Sequence, residues 1–461
     1  MNITIRNPIV AALGVLTLSL ALTIPVDAAD TVLHSFTGSA TDGSTCYSAL
    51  VLSGSTFYGT TARGGSANRG TVYAIEVDGT NFRLLHSFAG GASDGSFGVG
   101  SLTLDGSSLY GMTQAGGLND AGTIYRINTN GTGFTLLRSF AGGDEIAPGG
   151  ALTLSGARLY GMTAGAFGSR GTIFGINTNG TGFASLHVFA GGPSDGQNPI
   201  LGAVTLIGTK LYGMTQRGGS AEDGVIFSLN TDGTEYTVLH NFGAPLPGTN
   251  PLGSLIVFNS RLYGIAQGSF ENNAIIFGID PDGSDFSVVH SFPLPSSGSG
   301  RVFGSLVVSD SKFYGTTSGD AAAGGIVFRI NPDGTNFVVL HSFTGAPTDG
   351  ASPYGDLVVA GSRIYGTTED GGSNDVGTIF SVYGGPLRVT DISRSGTAIV
   401  IQFAEAFVGR TYRLERKNSL SAMWDSNGIS DLTPIMNGTG QFTDPGAISL
   451  GRAFYRVRVL P

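Results

Sequence analysis

Short runs of alternating apolar and polar residues follow one another along most of the chain. Within residues 101–140 they read Ser-Leu-Thr-Leu, Leu-Tyr-Gly-Met-Thr, Gly-Thr-Ile-Tyr-Arg-Ile and Phe-Thr-Leu-Leu-Arg-Ser-Phe. They are separated by Asp-Gly, a glycine-rich loop and Asn-Gly. Runs this short, rich in β-branched and aromatic residues and bounded by turn residues, predict an antiparallel meander of four strands.

The four-strand unit repeats along the chain. A Tyr-Gly marker recurs in steps of 52, 50, 52, 51, 51 and 51 residues. Seven units of one period, all made of strands, predict an all-β fold, a seven-bladed β-propeller with four-stranded antiparallel blades. The marker tyrosines are Tyr58, Tyr110, Tyr160, Tyr212, Tyr263, Tyr314 and Tyr365.

The two ends of the repeat complement each other. The fourth-strand pattern first occurs at residues 31–37, ahead of any complete unit. The seventh unit, residues 357–383, contains only its first three strands. We therefore predict that the N-terminal strand pairs with residues 377–383 and completes the last blade. This pairing would close the ring and remove a free sheet edge.

The glycine after each marker tyrosine lies inside a predicted strand, as at Gly59 and Gly111. A glycine weakens a strand unless another backbone or a ring approaches closely. We predict that an aromatic ring of the neighbouring blade packs over it. One aromatic per unit recurs on the third strand and is expected in the core, at Tyr73, Tyr125, Phe174, Phe227, Phe277, Phe328 and Phe380.

The sequence before the repeat has the pattern of a leader. Residues 1–29 combine a basic start at Arg6, an uncharged apolar run and the small-x-small site Val26-Asp27-Ala28. This combination is typical of a secretory signal peptide. No later stretch has the length of apolar sequence that a membrane span needs. We therefore expect an exported protein, extracellular or periplasmic, without a membrane span.

The remainder divides into two predicted domains. Residues 30–385 are the propeller. Residues 386–461 lack the repeat but still alternate as short strands, which predicts a small C-terminal β-sandwich. We interpret Trp424, the only tryptophan, as a core or edge anchor of this sandwich, with carbohydrate binding through its ring as the alternative.

Charge narrows the choice of partners. Residues 29–385 contain 14 Lys and Arg against 26 Asp and Glu, a net charge of −12. An acidic propeller argues against nucleic acid, because phosphate contacts need clustered cations. Only 12% of all residues are charged, so the surface is mostly Ser, Thr, Asn and Gly. We expect a monomer that meets an extracellular glycan or protein.

No catalytic or metal-binding motif stands out. Cys46 is the only cysteine, interpreted as a small, partly buried residue, with an intermolecular bridge or a reactive thiol as the alternatives. No Cys/His cluster, nucleophile elbow or calcium-loop spacing occurs, so no cofactor is expected; Ca²⁺ stays open as an alternative that no motif indicates. The histidines share one position on the fourth strand, one per blade, which keeps them apart around the ring. They are His34, His86, His187, His240, His290 and His341, with Arg138 in the seventh copy.

Loop length singles out one face of the propeller. The turns between first and second strands and between third and fourth strands are short and nearly identical. The other two kinds of loop are long and variable, lie together on the opposite face and define the long-loop face. Variable loops on a rigid scaffold usually carry function. Charges that interrupt the repeat there are either solvated loop charges or part of a cation or sugar site near the central channel: Arg63, Arg69, Asp120, Arg217, Glu222, Asp223, Glu271, Glu369, Asp370 and Asp375.

The repeat resembles a known family. Within residues 58–88 the motifs Tyr-Gly-Thr-Thr, Gly-Gly, Gly-Thr-Val-Tyr, Asp-Gly-Thr and Leu-His-Ser-Phe follow one another. This pattern is similar to the GloVer (Gloeo/Verruco) tandem repeat of secreted bacterial proteins. It recurs over residues 31–383 and is weakest at Ile265-Ala266-Gln267. The resemblance implies an exported repeat protein and brings no catalytic residues. Residues 386–461 resemble the fibronectin type III-like sandwiches that end such proteins.

We therefore expect a non-enzymatic binding or scaffold module for a surface glycan or protein. The alternative is an extracellular carbohydrate-active enzyme, a lyase or hydrolase, on the same propeller. Convergent acids and a base at the mouth of the central channel would indicate the enzyme. A mouth lined only by Ser, Thr and Gly would favour binding.

Overall fold

Antiparallel strands make up nearly all regular structure of the chain, which is described by a computed structural model. The described residues contain no helix, and so none with the length and apolar character that crossing a membrane requires. Two units are distinguished, one of residues 32–382 and one of residues 1–31 with 383–461. The described ranges are 2–6, 30–143, 145–165, 170–200, 202–243, 248–268, 273–292, 304–319, 324–361, 363–384, 388–395, 398–406, 412–417, 438–444 and 452–459.

Seven four-stranded antiparallel sheets form a seven-bladed β-propeller, as predicted. The strands of each blade are short because turn residues interrupt the alternating pattern. From first to fourth strand, blade 1 comprises Val51–Ser53, Thr56–Thr61, Thr71–Glu76 and Arg83–Ser87; blade 2 Thr103–Asp105, Ser108–Thr113, Thr123–Asn128 and Thr135–Ser139; blade 3 Pro148–Ser155, Arg158–Thr163, Thr172–Asn177 and Ala184–Val188; blade 4 Thr205–Ile207, Lys210–Thr215, Val225–Asn230 and Thr237–Asn241; blade 5 Ile256–Phe258, Arg261–Gln267, Ala274–Ile279 and Ser287–Phe292; blade 6 Val307–Ser309, Lys312–Thr317, Ile326–Ile330 and Val338–Ser342; blade 7 Val358–Ala360, Arg363–Gly371, Thr378–Tyr383 and Thr31–Ser35.

The N-terminal strand closes the ring. Thr31–Ser35 lies beside Thr378–Tyr383 as the fourth strand of blade 7. The pairing continues one residue further, where the Phe36 backbone N–H donates to the Gly377 carbonyl at 3.0 Å. Phe36 is fully buried, and its ring centroid lies 5.5 Å from that of Tyr73 in blade 1. The predicted closure is therefore confirmed.

Aromatic rings fill the spaces between blades. The third-strand aromatic is buried in every blade, with Tyr73 and Tyr125 fully buried. The phenylalanine that follows each fourth strand packs edge-on against the third-strand ring of the next blade, as Phe88 does against Tyr125 at 5.3 Å. Burying one such side chain contributes about 1.5–3 kcal/mol. The prediction that these aromatics form the core is confirmed.

The glycine after each marker tyrosine makes room for a ring, but the ring comes from the same blade. Gly59 lies directly opposite Tyr73 in the register of the second and third strands. A Cβ on Gly161 would lie 2.6 Å from Cζ of Phe174, its own cross-strand partner. The predicted close approach is confirmed, whereas its assignment to the neighbouring blade is wrong. The aromatic ring lies across its cross-strand glycine and contacts the fourth-strand phenylalanine of the preceding blade.

Short ribbons tie the long loops together. The loop that enters a blade pairs with the loop between that blade's second and third strands, so both lie on one face. In blades 5 and 7 the entering segments Thr249–Pro251 and Gly350–Pro353 pair with the extended second strand. In blades 1, 2 and 4 the ribbons join Gly43–Ser44 to Arg63–Gly64, Gly95–Ser96 to Ala115–Gly116, and Gly196–Gln197 to Arg217–Gly218.

The other unit contains two three-stranded antiparallel sheets. One comprises Arg388–Ser395, Ala398–Ala406 and Gly438–Asp444, in that order. The other comprises Asn2–Arg6, Arg452–Val459 and Tyr412–Lys417. The packing of two sheets into a sandwich stays a prediction, as does the leader, of which residues 7–29 lie outside the described residues. Trp424 also lies outside them.

Candidate functional site

Most histidines are bonded into the blade scaffold. His34 Nε2 lies 3.1 Å from Asp42 Oδ1, and the His34 ring stacks on Phe82 of blade 1 at 4.0 Å. The Asp42 carboxylate also accepts the backbone N–H of Thr37 at 3.0 Å and of Gly43 at 2.7 Å. The same His–Asp pairing occurs at His86 and Asp94, His187 and Asp195, and His341 and Asp349.

These pairs hold a carboxylate in its charged form. Burial by itself would raise the pKa of Asp42, but the hydrogen bond and charge of His34 and the N–H groups outweigh it and lower that pKa. Because the folded-state pKa lies below the ordinary value, the stabilisation is present above that ordinary value. It is lost as the pH falls through the lowered pKa. The pairs therefore stabilise the ring at neutral pH.

Three blades depart from the His–Asp pairing, and in one of them, blade 5, His290 stacks on Phe337 at 4.7 Å. In the seventh copy Arg138 and Glu145 replace it, 3.1 Å apart, and the Arg138 guanidinium lies 3.8 Å from the Phe183 ring centroid. His240 stacks on Phe286 at 3.8 Å, and its Nε2 has no hydrogen-bond partner among the described residues. Burial lowers the pKa of His240 to about 4. In six of the seven copies the flat group at this position stacks on an aromatic ring of the next blade.

Side chains of the types that bind metal ions do not cluster in the part of the chain that the structure describes. The described ranges contain no group of three or more His, Cys, Asp or Glu side chains that could hold a metal ion. Cys46 is fully buried, with Sγ 3.7 Å from the Thr60 carbonyl oxygen. Burial raises the pKa of its thiol.

Two predicted site residues shape their own loops. Asp120 Oδ1 accepts the Gly116 N–H at 2.7 Å, and Asp375 Oδ1 accepts the Gly371 N–H at 2.9 Å. Both residues have positive φ, 53° and 55°, a conformation in which a short polar side chain can bond to nearby backbone. Asn68 takes this role in blade 1. Asp120 and Asp375 therefore stabilise the conformation of their own loops, which accounts for these two residues.

The remaining candidates on blades 1 and 4 stay apart. Arg63 is exposed, with its guanidinium 5.6 Å from the Phe97 ring centroid. Arg69 Nη1 lies 3.5 Å from the Ser96 hydroxyl. Blades 1 and 4 are not neighbours in the ring, so their charges do not converge. On the blade 4 loop Arg217 and Glu222 are exposed and Asp223 is half-buried, while Glu271 lies outside the described residues.

The structure does bring Glu369 together with two tyrosines. The Tyr47 hydroxyl donates to Glu369 Oε1 at 2.7 Å. The rings of Tyr47 and Tyr354 meet edge-to-face with centroids 5.1 Å apart. All three side chains are half-buried. Tyr47 and Tyr354 lie just before the first strands of blades 1 and 7, on the long-loop side, so we call these three residues the axial mouth.

Carboxylates concentrate beside the axial mouth. Burial raises the pKa of Glu369, and the charge of Asp370 raises it further. Burial and the charge of Asp375 likewise raise the pKa of Asp370. Among the described residues no Lys or Arg forms an ion pair with these acids. The axial mouth therefore has a negative potential.

Below the axial mouth, small residues form a closed circle around the propeller axis. A Cβ on Gly100 would overlap the Gly150 carbonyl oxygen of the next blade, and a Cβ on Gly150, Gly202 or Gly355 would likewise lie within 2.5 Å of a carbonyl oxygen of the next blade. At Gly253 and Gly304 the next blade lies slightly further from an added Cβ, at 3.0 and 3.1 Å. Backbone N–H groups next to this circle also donate between blades, as Ala49 does to Ser101 Oγ at 2.8 Å. The members, called the axial circle, are Ser48, Gly100, Gly150, Gly202, Gly253, Gly304 and Gly355.

A small polar cavity lies between the axial mouth and the axial circle. Its volume is about 20 Å³, and Tyr47, Tyr354, Ser101 and Asp356 contribute to its wall. Asp356 accepts the Ser305 N–H, and burial raises the pKa of its carboxyl group. A cavity of this size admits a single water-sized group.

Sequence reasoning identified Glu369 and Asp370 but missed Tyr47, Tyr354 and Asp356. A signal was present in the aligned repeat. The position of Tyr47 in the unit varies from blade to blade, and it is tyrosine in blades 1 and 7 alone: Tyr47, Val99, Gly149, Leu201, Leu252, Phe303 and Tyr354. Asp356 stands where the other blades carry Ser or Ala. The two tyrosines thus belong to blades that only the ring closure makes neighbours.

Comparison with known proteins supports the fold. The model of the Gloeobacter/Verrucomicrobia repeat matches residues 22–170, 159–302 and 265–397. Curated proteins give no match. An oligogalacturonate lyase from Vibrio parahaemolyticus is similar in structure with a TM-score of 0.50 and 11% identity, over 78% of this chain and 92% of that one. An oligogalacturonate lyase in complex with manganese has a TM-score of 0.49 and 13% identity, over 71% and 86%. At such identities the likeness concerns the fold alone.

Proposed function

The chain belongs to the Gloeobacter/Verrucomicrobia repeat family, and from this premise we propose that it is an exported binding or scaffold module. Its long-loop face recognises a surface glycan or protein, and the axial mouth is the centre of that face. The observation that carries this proposal is the hydrogen bond of Tyr47 to Glu369 beside Tyr354, since tyrosine stands at this position of the unit only in these two blades.

A rigid support favours recognition at this place. Tyr47 and Tyr354 adjoin the axial circle, in which backbone packs against backbone from blade to blade. The ribbons of the entering loops hold the surrounding backbone. Side chains held on rigid elements lose little conformational freedom on binding, so more of the contact energy appears as affinity.

Export is supported by the leader pattern of residues 1–29 and by the weakly charged composition. The acidic charge of the propeller makes nucleic acid an unsuitable partner. The protein would act outside the cytoplasm, in the periplasm or beyond it. There, surface polysaccharides and exported proteins are the ligands within reach.

One observation favours the enzymatic alternative. Glu369 has a raised pKa and accepts a hydrogen bond from a tyrosine hydroxyl, an arrangement suited to proton transfer. A carbohydrate-active lyase or hydrolase would use such a pair as acid and base. The name of the structurally similar oligogalacturonate lyase points to the same class of substrate.

The test is a glycan array probed with the purified protein, with and without Ca²⁺. We expect saturable binding to a restricted set of glycans that does not depend on Ca²⁺, because the sequence contains no calcium-loop motif. The bound glycans are then incubated with the protein and analysed by mass spectrometry. Intact glycans support the binding role, whereas shortened glycans that Glu369→Gln protein fails to produce would establish the enzyme. Silence across the array would overturn the glycan form of the proposal.

A further inference from the structure

We propose that the axial mouth is a subsite for one sugar ring without an acidic group, with a single hydroxyl or hydroxymethyl group entering the cavity beside Asp356. This inference rests on the proposed binding function and names its ligand class. It follows from three properties of the site: exposed aromatic surface, unused hydrogen-bond acceptors and the size of the cavity.

The two tyrosines supply a surface for the apolar face of a sugar. Both are half-buried and so retain accessible ring area. Their edge-to-face contact at 5.1 Å and 74° fixes one ring against the other. Tyrosine combines a large apolar body with a polar tip at low conformational cost. A pyranose ring is complementary to such a side chain, since its C–H faces can contact the aromatic ring and its hydroxyls can bond to the polar tip.

Hydrogen-bond acceptors converge next to these rings. The Tyr47 proton is directed to Glu369 Oε1, so the Tyr47 oxygen retains acceptor capacity. Glu369 Oε2 has no hydrogen-bond partner among the described residues, and an ionised carboxylate accepts only. These two acceptors, the Tyr47 oxygen and Glu369 Oε2, suit a pair of hydroxyl donors. Hydrogen bonds to a charged acceptor are stronger than those between neutral groups.

The cavity selects the size of the group that enters. Its volume of about 20 Å³ admits one water-sized group, which a hydroxyl or hydroxymethyl matches. Ser101 and Asp356 give this space polar walls. A whole sugar ring cannot enter it, because the ring is many times larger than the cavity. The ring must therefore rest on the tyrosines with one substituent pointing inward.

Charge excludes acidic sugars. Glu369, Asp370, Asp375 and Asp356 belong to one blade and form no ion pair with Lys or Arg among the described residues. A uronate carboxylate brought to this place would meet like charges with no compensating cation, which costs free energy at short range. We therefore expect selection against galacturonate oligomers.

The experiment is isothermal titration of the whole protein with four named probes: cellopentaose, maltopentaose, chitopentaose and pentagalacturonate. We expect at least one of the three non-acidic oligosaccharides to bind, and pentagalacturonate to fail. Tyr354→Ala and Glu369→Gln should each weaken that binding by about tenfold or more, because each removes a main contact of the subsite. The isosteric Glu369→Gln and a melting curve of each variant separate recognition from any loss of stability that Tyr354→Ala causes.

The matched control is Glu235→Gln on the opposite, short-turn face, where Glu235 is exposed and pairs only with Lys210. It should leave the affinity unchanged. Binding of a non-acidic oligosaccharide that survives both site variants would overturn this subsite while leaving the binding function intact. Binding of pentagalacturonate alone would overturn the ligand class. Absence of any oligosaccharide binding would overturn the subsite and, with a silent array, the glycan proposal as well.

Discussion

Deletion of residues 31–37 is expected to lower the melting temperature by about 10 °C or more. The deletion removes the fourth strand of blade 7 and leaves Thr378–Tyr383 as an open sheet edge. It also removes Phe36, which is fully buried against Tyr73, and His34, which stacks on Phe82. Loss of one buried phenylalanine alone typically costs about 3–5 kcal/mol.

The comparison is between protein lacking residues 1–29 and protein lacking residues 1–37, each followed by scanning calorimetry. The shorter deletion serves as the control, since it retains the closing strand. A synthetic peptide of residues 30–38 should restore part of the lost stability when added to the longer deletion. Equal melting temperatures for the two proteins would contradict closure by this strand.

Replacing Gly100 with alanine is expected to destabilise the propeller by about 3 kcal/mol or more. The space for a Cβ at Gly100 is occupied by the carbonyl oxygen of Gly150 in the next blade. That carbonyl belongs to backbone which in turn packs against Gly202, so it cannot retreat without shifting blade 4. Overpacking against fixed backbone is costlier than overpacking against a flexible side chain.

Gly106→Ala is the matched control in the same blade. Gly106 has a φ of 56°, and nothing lies within 4 Å of an added Cβ. Its substitution should therefore lower the free energy of unfolding only by the strain of an alanine in the left-handed conformation, about 1–2 kcal/mol. Urea denaturation of both variants measures the difference. A loss of stability at Gly100 no greater than at Gly106 would show that the axial circle is loosely packed.

The architecture was accessible from the sequence because strand period, turn residues and repeat length are local properties. Ring closure could be predicted for a similar reason, since the strand pattern at residues 31–37 is the fourth strand that the seventh unit lacks. The ring that approaches Gly59 could not be predicted from the sequence. Strand register decides whether this ring is Tyr73 or an aromatic of another blade. Spacing alone does not specify that register.

The candidate site was only partly accessible. Glu369 and Asp370 were identified because they are charges that interrupt the repeat. The same criterion also selected Asp120 and Asp375, whose carboxylates bond to their own loops instead. Tyr47 and Glu369 are separated by 322 positions and meet only because the ring closes. Two ordinary residue types that far apart carry no local signature of a site.

The central claim, that the long-loop face around the axial mouth is the binding surface, is tested most directly by hydrogen–deuterium exchange. The protein is compared alone and with a non-acidic oligosaccharide that binds on the array. We predict slower exchange in residues 43–50, 350–356 and 368–372, and unchanged exchange in the short turns on the opposite face. Slower exchange confined to those short turns, such as residues 78–80 and 232–234, would contradict the account.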